Sequence, residues 1–275
     1  MVASSFSSPG VRIALGVAQC IELGGADARA FAQAQFSGDV RALQPLHWQW
    51  NAWLDHRGGV RALMHLADAG DGRLLALLRG GDANAVCAEL RKYVLRAKVG
   101  IEPLHDGFLS LGPALPLHQL RTEINAFGFG HGEHSLWIET AQCASDEERE
   151  RGFRLHQIRN GWPRLPAGGE GEFLPPALGL EHLGAVSFDK GCYPGQEIAA
   201  RLHYRGGHKR RLCHVWNSSP MQAGEVLPTA SGRDVVLVGT QADAGWHALA
   251  VMDEPKTVES GDLRNELRVI RRFEP

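Results

Sequence analysis

The sequence predicts an α+β protein, and three observations predict it. Strand and helix periodicities are mixed up to about residue 105, one strongly capped helix stands in an irregular middle, and only short strands broken by glycine and proline follow residue 208. A length of 275 residues allows two domains or three small ones. The expected organisation is an N-terminal two-layer unit over 1–105, a central α+β part over 106–207, and a C-terminal β domain, a small barrel or sandwich, over 208–275.

Residues Val11–Val17 read as the first strand, and Asp27 is placed to cap a helix running to Phe36. Alternation from Leu46 to Asn51 has the period of a half-buried strand. The turn Asp55–Gly59 leads into a second hairpin arm, Val60–Ala67. After another turn at 68–72 comes a strand, Arg73–Arg79. Asp82 then caps a helix with Val86, Leu90, Tyr93, Val94 and Ala97 on one face, and Ile101–Pro103 ends the unit. In the middle, Ser145 and Glu148 fit a capping box for a helix that stops at Asn160-Gly161. Strand candidates after His208 are Leu212–Trp216, Val235–Val238, Trp246–Met252 and Leu267–Ile270.

Composition excludes several classes. Apolar residues make up 44% and charged residues 22%, as in ordinary globular chains. A formal net charge of -2 offers no whole-chain attraction to nucleic acid or an acidic membrane, so neither is expected as a partner, and a monomer is expected. No apolar run reaches the roughly 20 residues of a membrane span. The start, Met1 to Gly10, lacks the basic opening of a signal peptide, which suggests a cytoplasmic protein with a short disordered beginning. The five cysteines, Cys20, Cys87, Cys143, Cys192 and Cys213, are odd in number, widely spaced and without C-x-x-C, so no disulfide framework is expected. Cys192, His203, His208, Cys213 and His214 match no common zinc spacing, and no stable metal site is expected.

The most informative stretch runs from Ser187 to Arg201. An apolar approach enters a turn containing Gly191, Pro194 and Gly195, and a helix begins near Gln196. Cys192 lies two residues from Lys190 and just before the helix, and both features favour a thiolate. Gln196 and Glu197 add an amide and a carboxylate in the same small volume.

The run Lys190-Gly191-Cys192-Tyr193, followed by Gly195-Gln196-Glu197, resembles the signature of the YgfZ family of folate-binding proteins, relatives of the glycine cleavage T-protein. The likeness extends in order through Gly25–Phe31, Gly38–Val40, Leu54–Gly59, Leu90–Val99, Ile158–Pro163, Phe173–Pro176 and Tyr204–Arg211. It implies three parts, the last a small β-barrel, around a central cavity that binds tetrahydrofolate or a one-carbon derivative. It also implies support for the assembly or repair of iron–sulfur enzymes, including one that modifies tRNA, with Cys192 as key residue and Lys190 beside it. Iron–sulfur client enzymes or assembly proteins would be transient partners, and a cluster shared through Cys192 is compatible with that role.

The residues offer independent candidates for a folate site. A flat pterin wants aromatic walls, for which Tyr193, Trp48, Trp50 and Trp162 are available, though the tryptophans also suit a core. Gln196 and Glu197 could meet ring donors and acceptors. Arg201 and Arg205, with Lys209, Arg210 and Arg211, could hold the anionic tail, or form an ordinary solvated face. The chain also departs from the T-protein. Gly58-Gly59 is followed by Val60 to Met64 with no carboxylate, where the T-protein carries paired Asp residues. Arg159 stands where that relative has a pterin-reading Glu. A folate-dependent aminomethyl-type transferase is therefore the alternative, and an accessory role the leading expectation.

Overall fold

The computed structural model describes residues 11–227, 229, 232–253 and 267–274, so the start at 1–10 lies outside the described residues. The chain builds three antiparallel sheets with helices packed on them, an α+β architecture. Strand β1 (Ile13–Val17) leaves at once for the second sheet. The first sheet has the order β3-β4-β5-β2-β6, from β2 (Cys20–Gly24), β3 (Trp48–Leu54), β4 (Val60–Asp68), β5 (Leu74–Leu78) and β6 (Gly100–Pro103). Helices α1 (Ala28–Gln35) and α2 (Ala83–Arg91) cover one face, where Phe31, Phe36, Trp53, Met64, Val86 and Leu90 form a core. The opposite face carries Trp48, Trp50, Ala52, Leu54 and Leu63 into a larger core shared with the rest of the molecule. Both faces are covered, so β4 and β5 are buried almost throughout, and β3, whose alternating start suggested a half-buried strand, buries Asn51 as well.

The second sheet joins β1 to β7 (Phe108–Gly112), β8 (Leu120–Glu123), β9 (Ala126–Gly130) and β10 (Ser135–Glu139), in the order β1-β7-β10-β9-β8. Helix α3 (Glu147–Arg159) follows. Helix α4 (Gln196–Arg205) comes after a long irregular segment. The third sheet is β12-β13-β11-β14, from β11 (Arg210–Asn217), β12 (Val235–Ala242), β13 (Gly245–Asp253) and β14 (Arg268–Arg272).

That third sheet corrects the expectation of a barrel. Closure requires every edge to be paired. Among the described residues β12 and β14 remain the two edges, with no ladder between them. The sheet is open, and α3 packs on its β12 and β13 strands. Three smaller corrections concern helix ends. Asp27 caps no helix N–H; its carboxylate accepts from the Lys98 backbone at 2.7 Å. Helix α2 stops at Arg91, leaving Tyr93 exposed. The cap of α3 is Asp146, which accepts from Arg149 N at 3.0 Å, one residue beyond the expected Ser145. Its end is as expected, with Gly161 in the left-handed region at φ +65°.

Candidate functional site

The Lys190–Glu197 loop is fixed from below by the first unit. Ser37 receives the Ser187 N–H on its carbonyl at 2.9 Å, and its hydroxyl donates to Ala185 O at 2.7 Å. Gln33 donates to the carbonyl of Lys190 at 3.2 Å. The Lys190 side chain turns inward and is buried. Its ammonium donates to the carbonyls of Phe36 and, at 2.8 Å, Gly38. Burial holds this amine at about 8, below the ordinary lysine range. Lys190 thus spends its charge on backbone carbonyls rather than presenting it at the surface.

Gly191 and Gly195 take φ of +98° and +77°, so the chain reverses around Cys192. At Gly195 a side chain is also excluded by contact, since a Cβ there would stand 2.4 Å from Asp55 O. The loop therefore sits directly on the β3–β4 hairpin. Cys192 is exposed, whereas Cys20, Cys87 and Cys213 are buried. Tyr193 packs into the large core, with the Lys190 ammonium 5.2 Å from its ring centroid. Its phenol is buried without a hydrogen-bond partner among the described residues, and burial followed by nearby Glu181 pushes its pKa up. Gln196 is half-buried at the start of α4, while Glu197, Arg201 and Arg205 are exposed.

The candidate tryptophans lie elsewhere. Trp50 is four residues before Leu54 on β3, roughly 13 Å at strand rise, and Trp48 is farther still. They belong to a buried cluster of rings where the first and second sheets meet α3. His65 of β4 lies 4.4 Å from Trp48 and 4.3 Å from Trp50 between centroids. His131, just past β9, is 4.6 Å from Trp48 and 4.9 Å from His65, and Trp162 is 5.3 Å from His131. Arg79, at the end of β5, is buried 5.7 Å from the Trp50 centroid and donates to the Gln157 side chain of α3. These rings pack closely against one another. Two clefts of about 470 and 390 Å³ are not lined by the loop: the first is lined by Asp71, Arg73, Glu123 and Phe127, and the second, which runs from Gly80 beside Arg79, by Asp82, Arg164 and Leu237.

The cluster is polar and under-satisfied. Both ring nitrogens of His65, Nε2 of His131 and Nε of Arg79 are buried without partners among the described residues. Burial first, then neighbouring imidazoles and Arg79, hold His65 and His131 well below the ordinary histidine range, so both are neutral at pH 7. Burial lowers the Arg79 guanidinium to about 9, still charged at pH 7. Sequence reasoning missed His65, Arg79, His131 and Gln157. They come from four separate elements, and a lone polar residue closing an apolar strand carries no signal by itself.

Arg159 belongs to neither group. It lies two residues after Gln157, so it leaves α3 on another face, toward His214 and His247 of the third sheet. That pair shares a 2.8 Å hydrogen bond, and burial followed by His247 lowers His214 to about 4. Among the described residues no three His, Cys, Asp or Glu side chains stand close enough to hold a metal ion. No helix there is long and apolar enough to cross a membrane.

Comparison with known proteins adds the following. No protein-family profile matches the chain. It is similar to the tRNA-modifying protein YgfZ of Escherichia coli O157:H7, 29% identical over 247 residues, which cover 78% of this chain and 75% of that protein. It is similar to the tRNA-modifying protein YgfZ of Cronobacter sakazakii, 29% identical over 275 residues, covering 87% and 83%. The crystal structure of glycine cleavage system aminomethyltransferase T from Bartonella henselae shares its fold, with a TM-score of 0.67 at 16% identity over 90% of this chain and 79% of that one.

Proposed function

Because the chain belongs to the YgfZ/T-protein-like family, we propose that it is a folate-binding accessory protein that supports iron–sulfur enzymes, including ones that modify tRNA, through Cys192. One observation carries this reading. Lys190 is buried as an anchor while Cys192, two residues on, is exposed, so the loop holds a single thiol outward from a fixed base. Access is the first requirement for a thiol that meets a partner or a metal.

The chemistry of the ring cluster fits a reduced folate. Trp50 and Trp162 offer aromatic surfaces of the kind a pterin packs on, but they meet each other directly, centroids 6.4 Å apart with planes at 58°, so a pterin would enter beside them and not between them. His65, His131 and Arg79 hold the orphaned nitrogens that ring heteroatoms could satisfy. When bound, tetrahydrofolate would supply a carrier for a one-carbon unit. The residues' own task is to exclude water and fix the ring system, with neutral imidazoles able to donate on one nitrogen and accept on the other. The exposed Arg201 and Arg205 sit on α4 and are not among the residues of this cluster.

The alternative, an aminomethyl-type transferase, draws on the shared fold. It lacks an acid–base group where the relative has one: β4 opens with Val60, Arg61, Ala62, Leu63 and Met64, and Ala62 to Met64 are buried. Two measurements test the proposal. A strain lacking its YgfZ-type protein, complemented with this chain, should regain iron–sulfur enzyme activity, and Cys192→Ala should not restore it. Titration with tetrahydrofolate should quench tryptophan fluorescence and raise the melting temperature by mass action. Full complementation by Cys192→Ala removes the thiol's role, and no saturable folate response removes the folate site. Formaldehyde or ammonia released from an aminomethylated carrier would favour the transferase.

A further inference from the structure

We propose that the outer face of α4 is a docking surface for single-stranded or looped RNA. A whole-chain charge of -2 gives no hint of this, because the fold gathers cations locally. Helix α4 buries only Ala199. Ile198 turns inward onto the hairpin, where a Cβ at Gly58 would meet it at 3.0 Å. Arg201, Tyr204 and Arg205 are left exposed, Tyr204 at 72%. Among the described residues, neither arginine nor the nearby exposed Lys209 has an ion-pair partner.

Arg201 and Arg205 are one turn apart on the same face, about 6 Å along the axis, with Tyr204 beside them. The tyrosine ends a short aromatic ladder. His203 lies 4.7 Å from Tyr204 and stacks on Phe188 at 4.4 Å with 26° between planes. Glu181 fixes His203 through a 2.7 Å contact to Nδ1. Guanidinium groups for phosphates beside an ordered, exposed ring for a base are the elements with which proteins hold unpaired RNA. A protein partner would need an apolar interface core, and the apolar side chains of α4 face inward or are half-buried. The carboxylates that accompany this face include Glu197, one turn before Arg201, the exposed Asp189 on the preceding loop, and Glu181, which is engaged by His203.

The test is fluorescence anisotropy with the full chain and a labelled single-stranded RNA 12-mer, the same sequence as a duplex, and a poly-glutamate peptide as an anion without bases. The single strand should bind saturably and more tightly than either control. The double variant Arg201→Ala/Arg205→Ala should weaken it at least about 10-fold and reduce the salt slope by about 1.4, the value for two single-strand phosphate contacts. Tyr204→Ala should weaken it about 5-fold or more, while Tyr204→Phe, which keeps the ring, should bind as wild type. Melting curves should coincide for all variants, since these side chains are exposed. No saturable binding, equal binding of poly-glutamate, or variants that bind like wild type would overturn the proposal. The assay contains no folate and does not read the thiol. Cys192→Ala should bind RNA normally, so failure here leaves the folate and thiol reading standing, and the reverse also holds.

Discussion

The Lys190 ammonium donates to the Gly38 carbonyl at 2.8 Å, tying the loop that presents Cys192 to the turn after α1. The same amine reaches the Phe36 carbonyl, so one buried charge serves two backbone acceptors across more than 150 residues of chain. Burial nonetheless holds its pKa at about 8, with Asp39 opposing the shift.

Replacing that amine should therefore act on stability before chemistry. Lys190→Met removes the donor and leaves both carbonyls without it, a loss of about 1–3 kcal/mol. Denaturant melts should show the lower midpoint, and limited proteolysis should cut within the 187–196 loop first. A midpoint equal to wild type would mean that the anchor contributes nothing.

The two glycines flanking Cys192 should differ in cost. Gly195→Ala faces a left-handed φ and a backbone oxygen 2.4 Å from the new methyl, so hairpin and loop must separate. Gly191→Ala faces the left-handed φ with open space around it. We expect about 1 kcal/mol for Gly191→Ala and clearly more for Gly195→Ala. Parallel thermal melts compare them, and equal losses would contradict the close packing of Gly195 on Asp55.

The ring cluster should make the fold acid-labile. His65, His131 and His134 are held neutral in the folded state, with His134 at about 3. Unfolded histidine titrates near 6.5, so below that pH the unfolded chain binds more protons than the folded one. Stability is full above about 6.5 and falls as pH drops toward the folded values, by up to about 1.4 kcal/mol per pH unit for each histidine. Melting temperatures at pH 7.5, 6 and 5 should fall steadily, and His65→Leu should flatten the curve. A flat profile in wild type would mean that these rings are not buried in solution.

Much of this was legible in the sequence, for physical reasons. Strands β3 and β4 announced themselves because seven and nine consecutive residues sit around a Gly-Gly turn. The turn at Gly191 and Gly195 and the start of α4 were equally clear, since only glycine tolerates those angles cheaply. Beyond β1, which Val11–Val17 announced, the second sheet was not legible. Its strands are four or five residues long, and β8 and β9 are joined through Asn125 at φ +59°, too short a period to register. The barrel expectation failed because strand count and spacing do not encode closure: α3 covers β12 and β13, a contact made from outside the segment. Spacing placed Lys190 beside Cys192, but only the fold reveals that its amine turns inward to Phe36 and Gly38.

Thiol reactivity gives the sharpest check on the loop, because all five cysteines can be followed in one sample. Alkylation requires a thiolate and a path for the reagent. Burial first raises the Cys87 and Cys213 thiols to about 11, and it pushes Cys20 up further. Cys143 is half-buried; burial and then its hydrogen bond to Glu139 at 3.1 Å raise its pKa as well. Cys192 alone of the five is exposed. Mass-spectrometric rates at pH 8 should rank Cys192 fastest, Cys143 next, and the buried three slow until the fold opens. Cys192→Ala should change stability by less than about 0.5 kcal/mol, as expected for an exposed side chain. Lys190→Met, whose lost amine points to carbonyls rather than outward, should leave Cys192 the fastest thiol. If Cys192 reacts no faster than Cys143, the loop does not present it, and the thiol-centred function loses its structural basis.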